Sequence, residues 1–181
     1  MALISSFLST LIVESGRLFA WGNSEYGGTG LGKETDKILT ATEVPVSLQD
    51  SGDKVSEVST GGTFSHLVTE KGHVYAMGYG LGLGFPKPAE AGDLFCLRPK
   101  KLTIPTSEKI VRVCGSADFA VAVSGAHEVF SWGWGAQGQL GLDSKESVWT
   151  PTRLTLPSEI SGVHSLACGN QHVMMVVTEK E

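Results

Sequence analysis

The chain has 181 residues, enough for one domain with a sizeable core, and 41% of them are apolar against 18% charged. Its net charge of −5 argues against binding nucleic acid through phosphate contacts, which needs a basic face. Three cysteines, an odd number, argue against a disulfide framework and for a reducing compartment, while 23 glycines suit a turn-rich β protein.

Taken in order, the chain opens on an apolar stretch, Met1 to Val13. This is too short for a membrane span and has neither a basic n-region nor the arginines of a transit peptide. Leu8–Gly16 (LSTLIVESG) lines up with Phe64–Gly72 (FSHLVTEKG), so residues 1–15 read as the tail of an earlier repeat, with a strand near Thr10–Glu14. A first repeat then covers residues 16–71. Leu18–Trp21 predicts a strand, Gly22 opens a glycine loop to Gly32, and the polar Lys33–Thr42 reads as a connection. Strands are expected near Val44–Leu48, Val55–Ser59 and Ser65–Thr69, with a turn at Asp50–Asp53.

The second repeat, residues 72–126, departs from the pattern. Met77 stands where tryptophan stands elsewhere, before Gly78 and Tyr79. Its glycine loop is shorter, and Phe85–Gly92 is an added loop whose two prolines exclude a central strand. Ser116 replaces Gly61 and Gly169 of the other copies, with Gly115 one residue early, which predicts a bulged turn. The third repeat, residues 127–181, is the most regular. Val129, Phe130 and Trp132 read as a strand with one buried face, which breaks into Gly133, Gly135, Gly138 and Gly141; a last strand is expected at Val173–Thr178.

The glycine after the aromatic falls at positions 22, 78 and 133, a period of about 55 residues. Pro45-x-x-Leu48, Pro99-x-x-Leu102 and Pro151-x-x-Leu154 follow it in each copy. Apolar residues spaced by three then lead to Gly61, Ser116 or Gly169. Three-spacing alone would allow a helix, but the glycines and β-branched residues argue for two short strands and a turn. Trp21, Gly22, Gly61, Gly78, Trp132, Gly133, Gly138, Gly141 and Gly169 are therefore the structural residues of the repeat.

No catalytic constellation emerges, and no cofactor or metal is expected. Gly78–Gly84 lacks the Gly-Lys-Ser/Thr end of a phosphate loop and the helix that would follow it. The five histidines show no metal-ligand spacing with the cysteines, and His172, where other copies carry Phe64 and Phe119, reads as a ring bonded to a turn. Cys114 and Cys168 precede a glycine at matching positions and read as buried packing. Arg98, Lys100 and Lys101 read as a solvated strand end. Tyr79, Phe85 and Trp134 lie on or beside loops and are candidates for contact with a protein partner, although Trp134 could equally stack on a neighbouring sheet. Trp149 is open to both readings.

The strand–Trp-Gly–glycine loop, the Pro-x-x-Leu segment and Cys-Gly-x-x-His before an apolar strand resemble the repeat of the regulator of chromosome condensation family. SWGWGAQGQLGLD, TPTRL and ACGNQHVMMVV carry nearly all of it. LFAWGNSEY, GHVYAMGYGLG and TPTRLTLP most resemble the C-terminal half of a mitochondrial member of that family. The resemblance implies an all-β fold of about three four-stranded antiparallel blades, part of a seven-bladed propeller. Three blades leave two open faces. That suggests a fragment of a longer propeller, or alternatively two chains closing a six-bladed ring, and in isolation a tendency to self-associate. For function the resemblance implies a non-catalytic scaffold for protein partners in mitochondrial regulation and ribosome or ribosomal-RNA assembly. The alternative it implies is a guanine-nucleotide exchange factor for a small or dynamin-like GTPase.

Overall fold

The structure, a computed structural model, describes residues 2–4, 8–12, 15–32, 35–90 and 94–180. It contains fourteen strands and, among the described residues, no α-helix. β1 (Ala2–Ile4), β2 (Leu8–Ile12), β3 (Leu18–Ser24) and β4 (Thr35–Glu43) form a first antiparallel meander. β5 (Val55–Thr60), β6 (Phe64–Thr69), β7 (Val74–Tyr79) and β8 (Phe95–Leu102) form a second. A third is built from β9 (Ile110–Gly115), β10 (Phe119–Ser124), β11 (Val129–Gly133) and β12 (Val148–Arg153). β13 (Ile160–Cys168) and β14 (Val173–Glu179) pair as a two-stranded sheet. These are the blades of a partial propeller. The glycine loops after β3, β7 and β11 lead from the third to the fourth strand of the same sheet, and the chain passes to the next blade between β4 and β5, β8 and β9, and β12 and β13.

The blades stack face to face, so the core is a series of apolar layers between sheets. Leu18, Ala20, Val44, Val58, Leu67, Tyr75 and Met77 fill the first layer. Phe64, Val68, Ala76, Leu102, Val113, Phe130 and Trp132 fill the second, and Phe119, Val121, Val129, Leu140 and Val163 the third. Alternation within a strand therefore sorts side chains between two layers rather than between core and water. In β11 both faces are buried, not the single face that the apolar run suggests, because Phe130 and Trp132 enter the second layer while Val129 enters the third. β6 and β10 are likewise buried along their whole length.

The inner strands are stitched by bonds from side chain to backbone. Glu57 Oε1 accepts the Val113 amide at 3.0 Å and Ser59 Oγ accepts the Gly115 amide at 2.7 Å. One blade further on, Cys114 Sγ accepts the Cys168 amide at 3.1 Å.

Two local expectations are corrected. The segment Val44–Leu48 is not a strand; the outer strand is β4, in the polar stretch taken for a connection. Its side chains from Lys37 onward are mostly exposed and β3 holds it through the backbone, so it has no apolar pattern to betray it. In the other blades Pro99 and Pro151 do lie within β8 and β12, outermost strands where a missing N–H is tolerated. The turn at Ser116 is not bulged. Ser116 N donates to Phe119 O at 2.9 Å, as Gly61 N does to Phe64 O at 2.8 Å and Gly169 N to His172 O at 2.9 Å. The strand near Thr10–Glu14 is β2, with residues 13 and 14 outside the described residues.

The glycine after the aromatic has a steric cause. Gly78 and Gly133 have φ of 118° and 110°, and a Cβ on either would lie 2.3 Å from Thr63 O or 2.4 Å from Asp118 O. Gly133→Ala should lose roughly 1–3 kcal/mol of stability in urea unfolding, from backbone strain and this clash together. A loss no larger than that for Gly138→Ala, where the space is open, would remove the steric explanation.

Candidate interaction face

One loop and two strand ends bring aromatic rings to one surface. Tyr26 lies in the glycine loop after β3, Tyr79 ends β7, and Phe95 begins β8. The Tyr26 and Tyr79 ring centroids are 5.6 Å apart, and those of Tyr79 and Phe95 are 4.6 Å apart. Tyr26 and Phe95 remain 39% and 36% exposed, so the row bridges the first and second blades with open ring faces.

Phe95 also lines a cleft of about 380 Å³ with Phe85, Pro86, Pro88, Lys100 and Trp149. Phe85 packs partly against the second core layer, and Lys100 Nζ sits 4.8 Å from its ring centroid. Trp149, in β12, brings the third blade into this cleft. Of the three residues singled out from sequence, Tyr79 and Phe85 thus share a surface through Phe95. Trp134 is half-buried and lines neither the ring row nor the cleft. Tyr26 and Phe95 carried no repeat signal, and only the fold puts them beside Tyr79.

The structural residues occupy several environments. Trp132 is fully buried and donates from Nε1 to Gly82 O at 2.9 Å. The glycine loop Gly78–Gly84, with a single 3-10 turn at Leu81–Leu83, thereby spends its backbone on an internal ring. Trp21, at the matching position of the first blade, is only half-buried. Gly22, Gly78, Gly133, Gly138 and Gly141 all adopt positive φ, whereas Gly61 and Gly169 sit in the inner turns. His172 is exposed and stands beside Gly169.

Several charged groups have structural partners. Asp53 Oδ1 accepts the amides of Lys54 and Lys71, at 2.9 and 3.1 Å, and closes the turn before β5. Burial pushes its carboxyl upward, but bonds from Thr69, Lys71, Lys54 and His73 outweigh this and hold it below the usual range. His73 Nδ1 lies 3.5 Å from Asp50 and 3.4 Å from Asp53, so the three could present one ligand atom each to a metal ion. Lys71 Nζ, 3.9 Å from Asp50, already supplies a cation there. The hydrogen bond to Cys114 and burial raise the Cys168 thiol above its ordinary range. Cys96, Cys114 and Cys168 are free thiols, each half-buried.

Stacked four-stranded antiparallel meanders with an aromatic loop face define a β-propeller protein. The repeat profile "Regulator of chromosome condensation (RCC1) repeat" matches residues 15–68 and 126–176, more than half of the sequence, and the chain belongs to that family. It is 37% identical over 165 residues to the mouse "RCC1-like G exchanging factor-like protein", covering 88% of this chain and 34% of that protein. It is 30% identical to the Arabidopsis thaliana "RCC1 domain-containing protein RUG3, mitochondrial", covering 94% and 38%. Among solved structures, human WBSCR16 superposes with a TM-score of 0.79 at 26% identity, over 96% of this chain and 43% of that one. Yeast RCC1 (Prp20) bound to Kap60 gives 0.86 at 18% identity, over 100% and 42%. The chain spans about a third of the length of the curated relatives it matches. Among the described residues, no helix is long and apolar enough to cross a membrane.

Proposed function

We propose that this chain is a non-catalytic docking scaffold whose aromatic face engages a protein partner. The observation that carries the reading is the continuity of Tyr26, Tyr79 and Phe95 with the Phe85–Trp149 cleft across three blades. Aromatic side chains dominate binding energy at interfaces, and a rigid frame presenting them on loops orders little on binding. Similarity to a relative named as mitochondrial supports placing this activity in the mitochondrion. A role in ribosome or ribosomal-RNA assembly is the finer form of the proposal. The whole chain acts as one partial propeller of three repeats, 16–71, 72–126 and 127–181, with residues 1–15 closing an earlier repeat.

Exchange of guanine nucleotides is the second reading, favoured by the name of the mouse relative. The two make different demands. An exchange factor must bind the nucleotide-free GTPase more tightly than the loaded one, because only differential affinity shifts the nucleotide equilibrium. A scaffold has no such requirement.

We expect no acceleration of labelled-nucleotide release from small or dynamin-like GTPases by the full chain. Tyr79→Ala with Phe95→Ala should weaken capture of mitochondrial proteins by roughly tenfold or more, as loss of interface hot spots does. Deleting residues 86–91, of which 91 lies outside the described residues, should weaken capture more than it lowers the melting temperature. Release accelerated by the intact chain and abolished by that deletion would replace the scaffold with the exchange factor.

A further inference from the structure

The three free thiols are not equivalent, and two of them meet. The inner turns fix how the sheets correspond, through the bonds of Gly61 N to Phe64 O, Ser116 N to Phe119 O and Gly169 N to His172 O. Counting back from these amides, Cys114 stands at the place of Ser59, whereas Cys168 stands at the place of Gly115. The match read from the glycine after each cysteine is therefore one residue out of step. That step matters, because neighbouring residues of a strand point to opposite faces. Cysteines at one repeat position would both point onward and stay a blade apart. One residue out of step, Cys114 points onward from β9 and Cys168 points back from β13.

The contacts agree. Cys114 Sγ accepts the Cys168 amide at 3.1 Å, as Ser59 Oγ accepts the Gly115 amide one junction earlier. Cys168 Sγ reaches back as a donor, 3.4 Å from Cys114 O and within hydrogen-bond reach of Cys114 Sγ. Where the earlier junction has a serine and a glycine, this one has two sulfurs side by side. The Cys168 thiol lowers the Cys114 thiol below its ordinary range, helped by the Cys168 amide and opposed by burial and the Glu57 carboxylate. Cys96 is placed differently. Its thiol donates to Arg98 O at 3.2 Å and to Ala76 O at 3.6 Å, burial raises it, and no other thiol bonds to it among the described residues.

We infer that Cys114 and Cys168 form a peroxide-sensitive dithiol site, which closes to a disulfide and ties β9 covalently to β13. Both thiols are half-buried, which leaves them open to a small oxidant. Cys114, as thiolate, attacks one oxygen of hydrogen peroxide; the O–O bond breaks, hydroxide leaves, and Cys114 becomes a sulfenic acid. Cys168 sulfur then attacks Cys114 sulfur. The S–S bond forms, the S–O bond breaks, and the Cys168 proton leaves with that oxygen as water. Two thiols have lost two electrons in all, and one peroxide has become two waters. A dithiol such as glutaredoxin or thioredoxin supplies returns the pair to thiols by exchange, so the bond is compatible with a reducing compartment. The site is separate from the aromatic face and stands whether or not that face binds a partner.

The test treats the full reduced chain with hydrogen peroxide and maps the cysteines by mass spectrometry. Cys114 and Cys168 should be lost together, as one cross-linked peptide pair, roughly tenfold or more faster than Cys96 is oxidised, as expected of a thiolate beside a resolving thiol. Cys168→Ser should halt the reaction at Cys114 sulfenic acid, trapped by dimedone. Cys114→Ser should leave Cys168 no more reactive than Cys96. This variant places a serine where Ser59 already serves in the earlier sheet, so the bond to the following amide is kept. Phenylarsine oxide, which bridges paired thiols without oxidation, should bind the native chain and neither variant. Consumption of Cys96 as fast as Cys114, a disulfide between two chains in place of the internal one, or equal arsenical binding by native chain and variants would overturn the inference.

Discussion

Trp132→Ala should lower folding stability by about 3–5 kcal/mol, the usual cost of emptying a large aromatic site in a packed core. The ring is fully buried in the second layer, T-shaped to His66 at 5.4 Å, and tied to Gly82 O. Truncation leaves a cavity between two rigid sheets and strands a buried carbonyl. Trp134→Ala, two residues on and half-buried, should cost well under half as much. Denaturant melts of the two variants check this directly. Equal losses would mean that the layers between blades do not carry the stability. Trp132→Phe should fall between, since it keeps apolar volume but not the N–H donor.

Acid should weaken the fold through His66. The ring is fully buried between the second and third blades, T-shaped to Phe64 at 5.2 Å. Burial pushes its pKa down to about 4, against a smaller upward pull from the Leu83 carbonyl 3.4 Å away. The unfolded chain, with histidine near its ordinary value of about 6.5, takes up this proton where the folded chain does not. Stability is therefore fully present above about pH 6.5 and is lost as pH falls toward 4, by about 3 kcal/mol in all. Asp53, held below its usual range, adds a loss at still lower pH. Glu57 works the other way, since burial holds its carboxyl above the usual range and its protonation favours the fold. The check is a series of denaturant melts from pH 7 to 4 on the native chain and on His66→Val, which puts the residue of Val121 at the matching position of the earlier blade. The variant should lose most of the slope between pH 6.5 and 4; an unchanged slope would rule His66 out as its source.

What could be read from the sequence was what the packing repeats. Trp132, Gly133 and the inner turns recur because each blade rebuilds the same layer, so the fold class and most strands were legible. β4 was not, because an outermost strand is held by backbone bonds and its exposed Lys37, Leu39 and Thr40 need obey no pattern. Burial was misread for a related reason. Alternation in β11 looks one-sided in sequence, yet both sides of that sheet are covered by other blades. The contrast between Trp21 and Trp132 makes the same point: one repeat position, but half-buried in one blade and sealed in another. The aromatic face was half legible. Tyr79 follows a repeat glycine and draws notice, while Tyr26 lies in a loop and Phe95 at the start of an outermost strand, where the copies share no pattern.

The stitching of the inner strands has a thermodynamic consequence. Each of the bonds from Glu57, Ser59 and Cys114 reaches one sheet onward. The protein is then close to a one-dimensional chain of coupled units, whose free energy is a sum of unit terms and nearest-neighbour terms. In such a chain a defect costs the unit it strikes and two junctions, and its influence decays with each further unit. Cooperativity is local, and the order of each sheet is set mainly by the sheets packed on either side of it. The row of Tyr26, Tyr79 and Phe95 spans one of these junctions, so a partner seated there adds to a coupling term rather than to a single sheet and ties its own affinity to the order of two units at once.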